Sequence, residues 1–260
     1  MINTIVHFSD LHLKLYKDHT HYRQILESCF KLWKKIEPDR IVFTGDLVHS
    51  KNQMTPELIE MVIWVLTECS NITKTLVLIG NHDFLENNLD RLDAISPVLS
   101  AMNKDNIIYL KDRGTLKDEN ITWCVYSLME HNKRPDFTNK GDSHYIGLFH
   151  GAIQGSSTDM GFAFEDGYDT NEFNGCDIVL AGDIHKRQIL DIPNGKKAYM
   201  VGSLIQQNFG ENINNHGFGL YNIKENKYSF QDIENLSPYV NFKIKDITDI
   251  ENAKETITNI

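Results

Sequence analysis

Three times within its first 83 residues the chain runs through a short β-branched or aromatic stretch and breaks off at a polar cluster. Thr4 to Phe8 stops at Ser9-Asp10, Arg40 to Thr44 runs into Gly45-Asp46, and Lys74 to Ile79 ends at Gly80-Asn81-His82-Asp83. Helical patterns fill the gaps. Between His19 and Ile36 the residues Tyr22, Ile25, Leu26, Cys29, Phe30, Trp33 and Ile36 recur at threes and fours, and Pro38 ends the run. Thr55-Pro56-Glu57 then reads as an N-cap followed by proline at the first helical position, opening a helix to about Cys69. A β-α-β-α-β order dictates a parallel sheet with right-handed crossovers, and such sheets gather ligands beyond the carboxyl ends of their strands. The fold class is therefore α/β, with the polar clusters on one edge.

The second half is richer in strands: Ile107 to Leu110, Ile121 to Tyr126, Tyr145 to Phe149, Ile178 to Ala181, Ala198 to Val201, Gly217 to Ile223 and Lys227 to Gln231. Asn139 to Ser143 and Gln154 to Asn174, rich in Gly, Ser, Asp and Asn, read as mobile surface loops. Val240 to Ile244 reads as one more strand, and Glu251 onward as the start of a helix. The helix over residues 57–69 leaves almost no polar face, so either another segment of the chain covers its far side or a second copy does, giving a homodimer.

Composition narrows the function classes. With 41% hydrophobic and 24% charged residues the chain is of ordinary globular character, and at 260 residues it makes one large domain or two small ones. Four cysteines lie far apart without a C-x-x-C pair, which argues against a disulfide scaffold or a thiolate zinc site and for a reducing, cytoplasmic setting. The start lacks a signal-peptide pattern, and no apolar run approaches a membrane span, so no membrane association is expected. A formal charge of −10 weighs against nucleic acid as a partner unless divalent cations, rather than lysines, meet the phosphate.

Five clusters carry the chemistry: Asp10-Leu11-His12, Gly45-Asp46-Leu47-Val48-His49, Gly80-Asn81-His82-Asp83, His150-Gly151 and Gly182-Asp183-Ile184-His185. Each follows an apolar run and offers a carboxylate, an imidazole or an amide oxygen. This mixed oxygen and nitrogen set suits Mn²⁺, Fe²⁺ or Zn²⁺, and contains no thiolate. One strand-end Asp or lone His is ordinarily a cap or a satisfied core residue, but five such clusters in series are a constellation.

In this order the clusters resemble the signature of the calcineurin-like metallophosphoesterases, D-x-H, G-D, G-N-H-D/E, H and G-H-x-H, over residues 10 to 185. Within that family the chain looks most like the SbcD nucleases of double-strand-break repair, including phage and viral versions, on the strength of His49 and of the segment from Gly202 to Glu211. The resemblance implies a β-sandwich of two mixed sheets flanked by helices, with a dinuclear metal site at the strand ends. It implies one metal on Asp10, His12 and His185, a second on Asn81, His150 and Asp183, and Asp46 bridging. The metals would be two divalent cations, Mn²⁺ first, with Mg²⁺, Fe²⁺ or Zn²⁺ as alternatives. Asp183 stands where the family has histidine, adding an oxygen ligand and a negative charge. His82 would protonate the departing oxygen, and His49 would orient His82 or the phosphate.

The activity so implied is a Mn²⁺-dependent DNA nuclease: an exonuclease working 3′ to 5′ on duplex DNA and an endonuclease on single strands. Two other readings stay open, a phosphoesterase of the same fold acting on small substrates and a scaffold that has lost its metals. The phosphoesterase (nuclease) domain is expected over residues 1–238, and residues 239–260 as the start of a truncated or absent capping domain. In the resembling nucleases a helical segment beyond that cap docks an SbcC-type coiled-coil ATPase.

Overall fold

The structure, a computed structural model, describes residues 1–14, 16–129, 133–138 and 141–258. The expected alternation builds the first sheet. Strands β1 (Thr4–Phe8), β2 (Arg40–Phe43), β3 (Thr75–Leu78) and β4 (Ile107–Leu110) lie parallel and side by side. They are joined by helices α1 (His19–Ile36), α2 (Pro56–Ile72) and α3 (Ser96–Met102). In chain order there follow β5 (Gly114–Asp118), β6 (Ile121–Tyr126), β7 (His144–His150), β8 (Ile178–Gly182), β9 (Gln188–Ile192), β10 (Lys196–Met200), β11 (Gly217–Asn222) and β12 (Lys227–Asp232). Strands β11 and β12 return antiparallel beside β1, giving the order β12-β11-β1-β2-β3-β4. The second sheet runs β5-β6-β7-β8-β10-β9, with a parallel centre and antiparallel edges. Two mixed sheets packed face to face are the expected sandwich.

Strand periodicity explains the layers, because successive side chains point to opposite faces. Val6, Phe8, Ile41, Phe43 and Val77 face the helices, where they meet Leu26, Phe30, Trp33, Val62 and Leu66. Ile5, Val42, Leu76 and Leu78 face inward against Trp123, Val125, Ile146, Leu148 and Leu180 of the second sheet. Each such burial contributes roughly 1.5–3 kcal/mol of apolar transfer. Helices α1 and α2 cover the first sheet. On the outer face of the second, Phe149 and Val179 pack against Ile153 and, from the Gln154–Asn174 region that follows it, Phe173. That region is accordingly pinned, contrary to the mobile loop expected there: Phe173 and Ser156 are fully buried and short bridges tie Ile153 to Tyr168 and Ser157 to Ala163. The start of the other stretch read as a loop, at Asn139, lies outside the described residues.

α2 begins as read, with the Thr55 hydroxyl accepting from the Leu58 N–H and Pro56 in the first turn. Of the two covers expected for its apolar flank, the chain itself provides one. α1 packs along it through Phe30 on Trp64, ring centroids 5.4 Å apart, and through the Arg23–Glu60 and Lys34–Glu68 pairs, while α3 lies on its other side.

Three elements were not anticipated: α3 and the edge strands β5 and β9. β5 and β9 each have one solvent-facing side, so their sequences carry few apolar signals. The strand expected over residues 240–244 is absent. Its alternating Val-Asn-Phe-Lys-Ile pattern finds no ladder partner, Phe242 and Ile244 stay exposed, and a helix, α4 (Ile247–Thr258), follows. Among the described residues no helix is long and apolar enough to cross a membrane, and all four cysteines are buried.

Candidate metal centre

The loops leaving β1 and β2 are zipped together beyond the sheet edge. Asp10 donates its backbone N–H to the Gly45 carbonyl at 3.1 Å, His12 to Asp46 at 3.0 Å and Leu13 to Leu47 at 3.0 Å. The turns this requires put Asp10, His12, Asp46 and Asp183 in the left-handed region, with φ of 54°, 44°, 62° and 87°. Asp and His are among the few non-glycine residues that tolerate this conformation, and such strain concentrates at functional sites. Two glycines allow the close approach. A Cβ on Gly45 would lie 2.3 Å from His150 Nδ1, and one on Gly80 would lie 2.2 Å from the Asp46 nitrogen.

The side chains so thrown outward converge. His12 Nε2 and His185 Nε2 are 2.9 Å apart, with Asp10 Oδ1 within 3.8 Å of the first and 3.9 Å of the second. Asp46 reaches both halves of the cluster: Oδ2 is 3.4 Å from His12 Nε2 and Oδ1 is 3.3 Å from His150 Nε2. Around His150 Nε2 lie Asn81 Oδ1 at 3.2 Å and Asp183 Oδ1 at 3.7 Å. All seven residues named as ligands from the sequence therefore meet at one place. Asp10, His12 and His185 have ligand atoms within 4.8 Å of one another, as do Asp10, Asp46 and His150.

This donor set fits cations on its own chemistry. His150 Nδ1 donates to the Thr44 carbonyl at 2.6 Å and His185 Nδ1 donates to Glu211 Oε1 at 2.7 Å. His150 consequently aims Nε2 at the Asp46 and Asn81 oxygens, and His185 aims Nε2 at His12 Nε2 with Asp10 beyond, a crowding of lone pairs that needs positive charge in the middle. The titration directions agree. Burial opposes a charge on His150, yet Asp46, Asp10 and Asp183 outweigh it and hold its pKa well above the usual imidazole value. Burial raises Asp10 to about 6 and also raises Asp183. Burial pushes Asp46 upward too, but His150, His12 and His82 overcome it and leave that carboxyl well below its usual range. Burial, reinforced by neighbouring imidazoles, keeps His12 neutral and lowers its pKa.

His82 and His49 stand beside the cluster. The two rings stack at 5.7 Å, and His82 crosses His12 edge-on at 4.7 Å. His82 Nδ1 donates to the His49 carbonyl at 2.7 Å, which leaves Nε2 to face a substrate, and the His82 backbone N–H donates to Asp46 Oδ1 at 2.9 Å. A cleft of about 310 Å³ opens over His12, Asp46, His49, His82, Asp183 and His185.

Three supporting groups were not assigned roles from the sequence. Asp83, 1% exposed, accepts from the backbone N–H groups of Asp46, Leu47, Val48 and Gly80 at 2.9–3.2 Å, and so clamps the loop that carries Asp46. Burial, then Asp46, raises its carboxyl to about 7. Thr44 offers the carbonyl that orients His150. Glu211 comes from a distant loop to orient His185, while also accepting from the Gln207 N–H, the Ser203 hydroxyl and the Asn208 amide. Asp83 belongs to the Gly80-Asn81-His82-Asp83 cluster and Glu211 ends the Gly202 to Glu211 segment, but only the three-dimensional contacts reveal what they hold.

Comparison with known proteins agrees with this geometry. The sequence profile described as calcineurin-like phosphoesterase matches residues 3–187. An uncharacterised protein of Acanthamoeba polyphaga mimivirus is 31% identical over 259 residues, which is 94% of this chain but 19% of that protein's length. A dimetal phosphatase from Danio rerio shares the fold with a TM-score of 0.53 at 11% identity, covering 92% of this chain and 98% of that one. With the profile spanning every metal-ligand candidate, from Asp10 to His185, the chain belongs to the calcineurin-like phosphoesterase family.

Proposed function

We propose that the chain hydrolyses phosphodiester bonds in DNA with the help of two divalent cations, Mn²⁺ being the first candidate. Family membership implies metal-dependent phosphoester hydrolysis. The observation that carries the reading is the convergence of seven acceptor groups with Asp46 touching both halves. Two cations held there would neutralise phosphate charge and lower the pKa of a water for in-line attack.

The chain's own residues account for the rest. Asp10, His12, His185 and Asp46 would hold the first cation, and Asp46, Asn81, His150 and Asp183 the second. Carboxylates in both sets favour a hard ion such as Mn²⁺ over a purely nitrogen-liking one. As the attacking oxygen bonds to phosphorus and the ester P–O bond breaks, His82 Nε2 lies on the open side of the cleft to protonate the departing oxygen. His49 fixes the tautomer of His82 through its carbonyl and the orientation through its stacked ring.

DNA as the substrate is supported by the lysines around an otherwise acidic chain. Lys14 lines the cleft, Lys186 lines the adjoining depression beside His185, and Lys51 donates to the Asn81 carbonyl at 2.9 Å. The overall charge of −10 favours the second reading, a small phosphoester as substrate.

The deciding experiment is cleavage of end-labelled single- and double-stranded DNA with Mn²⁺, Mg²⁺ or EDTA, beside bis-p-nitrophenyl phosphate and the His82→Asn protein. Mn²⁺-dependent cutting that EDTA stops, and that His82→Asn loses while still binding metal, is the expected result. Hydrolysis of the small diester with DNA left intact would replace the DNA reading by the second one. Neither activity, together with poor metal binding, would leave the scaffold.

A further inference from the structure

The metal cleft does not end at His49. Beyond that ring, sharing His49 and Lys14 with the cleft, lies a second cavity of about 350 Å³. Its volume falls within the roughly 300–1,000 Å³ of ordinary ligand pockets. None of the seven residues proposed to hold the two cations lines it; His49, which groups with His12 and His82, stands at the boundary it shares with the cleft.

We propose that this cavity is a subsite for a planar, ring-bearing group attached to the leaving side of the scissile phosphate: a nucleoside, or an aryl ester of similar size. The proposal rests on the reading of His82 as proton donor, since the cavity opens on the His49–His82 side of the centre, where the departing oxygen must lie.

Its lining matches such a ring. Tyr239, 36% exposed, supplies an aromatic wall, and the buried Leu13 and Leu58 pack beneath the cavity as its support. Ser50 and Gln53 place a hydroxyl and an amide on the rim, where the polar edge of a base would meet them. An alkyl chain would leave those polar groups unmatched, and a bare sugar would leave the Tyr239 ring face uncovered. Charge distinguishes the two spaces: Lys14 lines both the cleft and this cavity, whereas Asp18 lines the cavity alone and disfavours a second phosphate there.

The wall is held in place rather than loosely draped. Buried Gln206 accepts from the Tyr239 N–H at 2.9 Å and donates to the Tyr239 carbonyl at 3.1 Å, and the Tyr239 ring meets Phe209 edge-on at 5.0 Å. Residue 239 lies past both sheets, so the stretch after β12 completes the subsite.

The test compares equilibrium binding of thymidine monophosphate, phenyl phosphate and inorganic phosphate to the Mn²⁺-loaded protein, and of thymidine alone to the metal-free protein. Gln53→Trp, on an exposed residue, fills the cavity, and Tyr239→Ala removes its wall. The expected result is thymidine monophosphate bound about tenfold tighter than phosphate, the gain of one stacked ring, with both variants cutting that ratio to about threefold or less and erasing thymidine binding. Thymidine monophosphate ahead of phenyl phosphate assigns the site to nucleosides, and the reverse order to aryl esters. Equal affinity for all three phosphates, or an advantage that survives both variants, overturns the proposal. Thymidine binding that the variants erase in a protein that neither binds phosphate nor cuts diesters would keep the subsite and discard the reading of the metal centre.

Discussion

Asp10, Asp46 and His150 lie at the bottom of the metal centre with 1% or less of their surface exposed, whereas Asp183 and His185 expose 22% and 24% of their side chains. The two groups are also held differently. The floor is fixed by backbone: zipped loops, left-handed turns, two crowded glycines and the four N–H groups gathered by Asp83. The wall depends on side chains, with His185 oriented by Glu211 from a loop 26 residues along the chain. Backbone geometry is costly to disturb and tolerates no adjustment; a side-chain brace can be changed without disturbing the fold. The candidate centre thus combines a floor tied to the protein's stability with a wall whose donors are adjustable.

The sharpest break of this contrast removes the clamp from each side. Asp83→Ala leaves four buried N–H groups without their acceptor, and each unsatisfied buried group costs about 1–3 kcal/mol before any relaxation. A net loss of about 3 kcal/mol is expected, lowering Tm by roughly 6–12 °C and abolishing hydrolysis of bis-p-nitrophenyl phosphate, because Asp46 loses its position. Calorimetry and a diesterase assay check both. A variant that keeps full activity would show that the zipped loops hold Asp46 without the clamp.

On the wall, Glu211→Gln should behave in the opposite way. Losing the partner of a ligating histidine typically costs 10–100-fold in metal affinity, so one of the two metals is expected to titrate that much more weakly while Tm of the metal-free protein moves by only about a degree or two. Metal titration with stoichiometry reads the first effect and calorimetry the second. Equal weakening of both metals would mean that Glu211 acts on the whole centre.

Proton competition gives a gentler probe of the floor. Asp10 is raised to about 6 by burial, so between pH 4 and 6 the folded chain holds a proton that the unfolded chain has released. That difference removes stability as pH rises through the window, and a cation at Asp10 restores it by replacing the proton. The stabilisation by Mn²⁺ should therefore grow between pH 5 and pH 7, measured as the Tm difference with and without the ion. Burial raises Asp83 to about 7, and the same sign applies there. A shift in Tm that is flat over this range would place the cation away from Asp10.

What could be read in the sequence follows the same division. Residues on β1, β2, β3, β7 and β8 announce themselves because a buried strand is an apolar run and its end is a polar break, so all seven candidate ligand positions and His82 stand at legible points. The α1 boundaries, His19 to Ile36, followed from periodicity and Pro38. Partnership was less legible. β5 and β9 are edge strands with little apolar pattern, the stretch from Val240 to Ile244 has the pattern but no neighbouring strand, and Glu211 is braced against His185 across 26 residues. Periodicity records burial, whereas these features are set by which distant segment lies alongside.

Asp183 is the place where chain and family pattern part, and replacing it tests how adjustable the wall is. Its carboxylate lies 3.7 Å from His150, at the edge of the cluster, and it borders three depressions in the surface, so a larger imidazole has room. Asp183→His exchanges a charged oxygen for a neutral nitrogen while Asp46, Asn81 and His150 remain. The expected effect is the smallest of the four: less than about a tenfold change in affinity at the second position, with preference moving from Mn²⁺ towards Zn²⁺ as nitrogen replaces oxygen. Competitive titration of the two ions reads it directly. The backbone adds a limit, because Asp183 holds φ at 87° while its N–H donates to both oxygens of Asp10, and histidine accepts that conformation less readily than aspartate or asparagine. If affinity falls a hundredfold or more, the turn at residue 183 belongs with the rigid floor, and the adjustable part of the wall narrows to His185 and its brace.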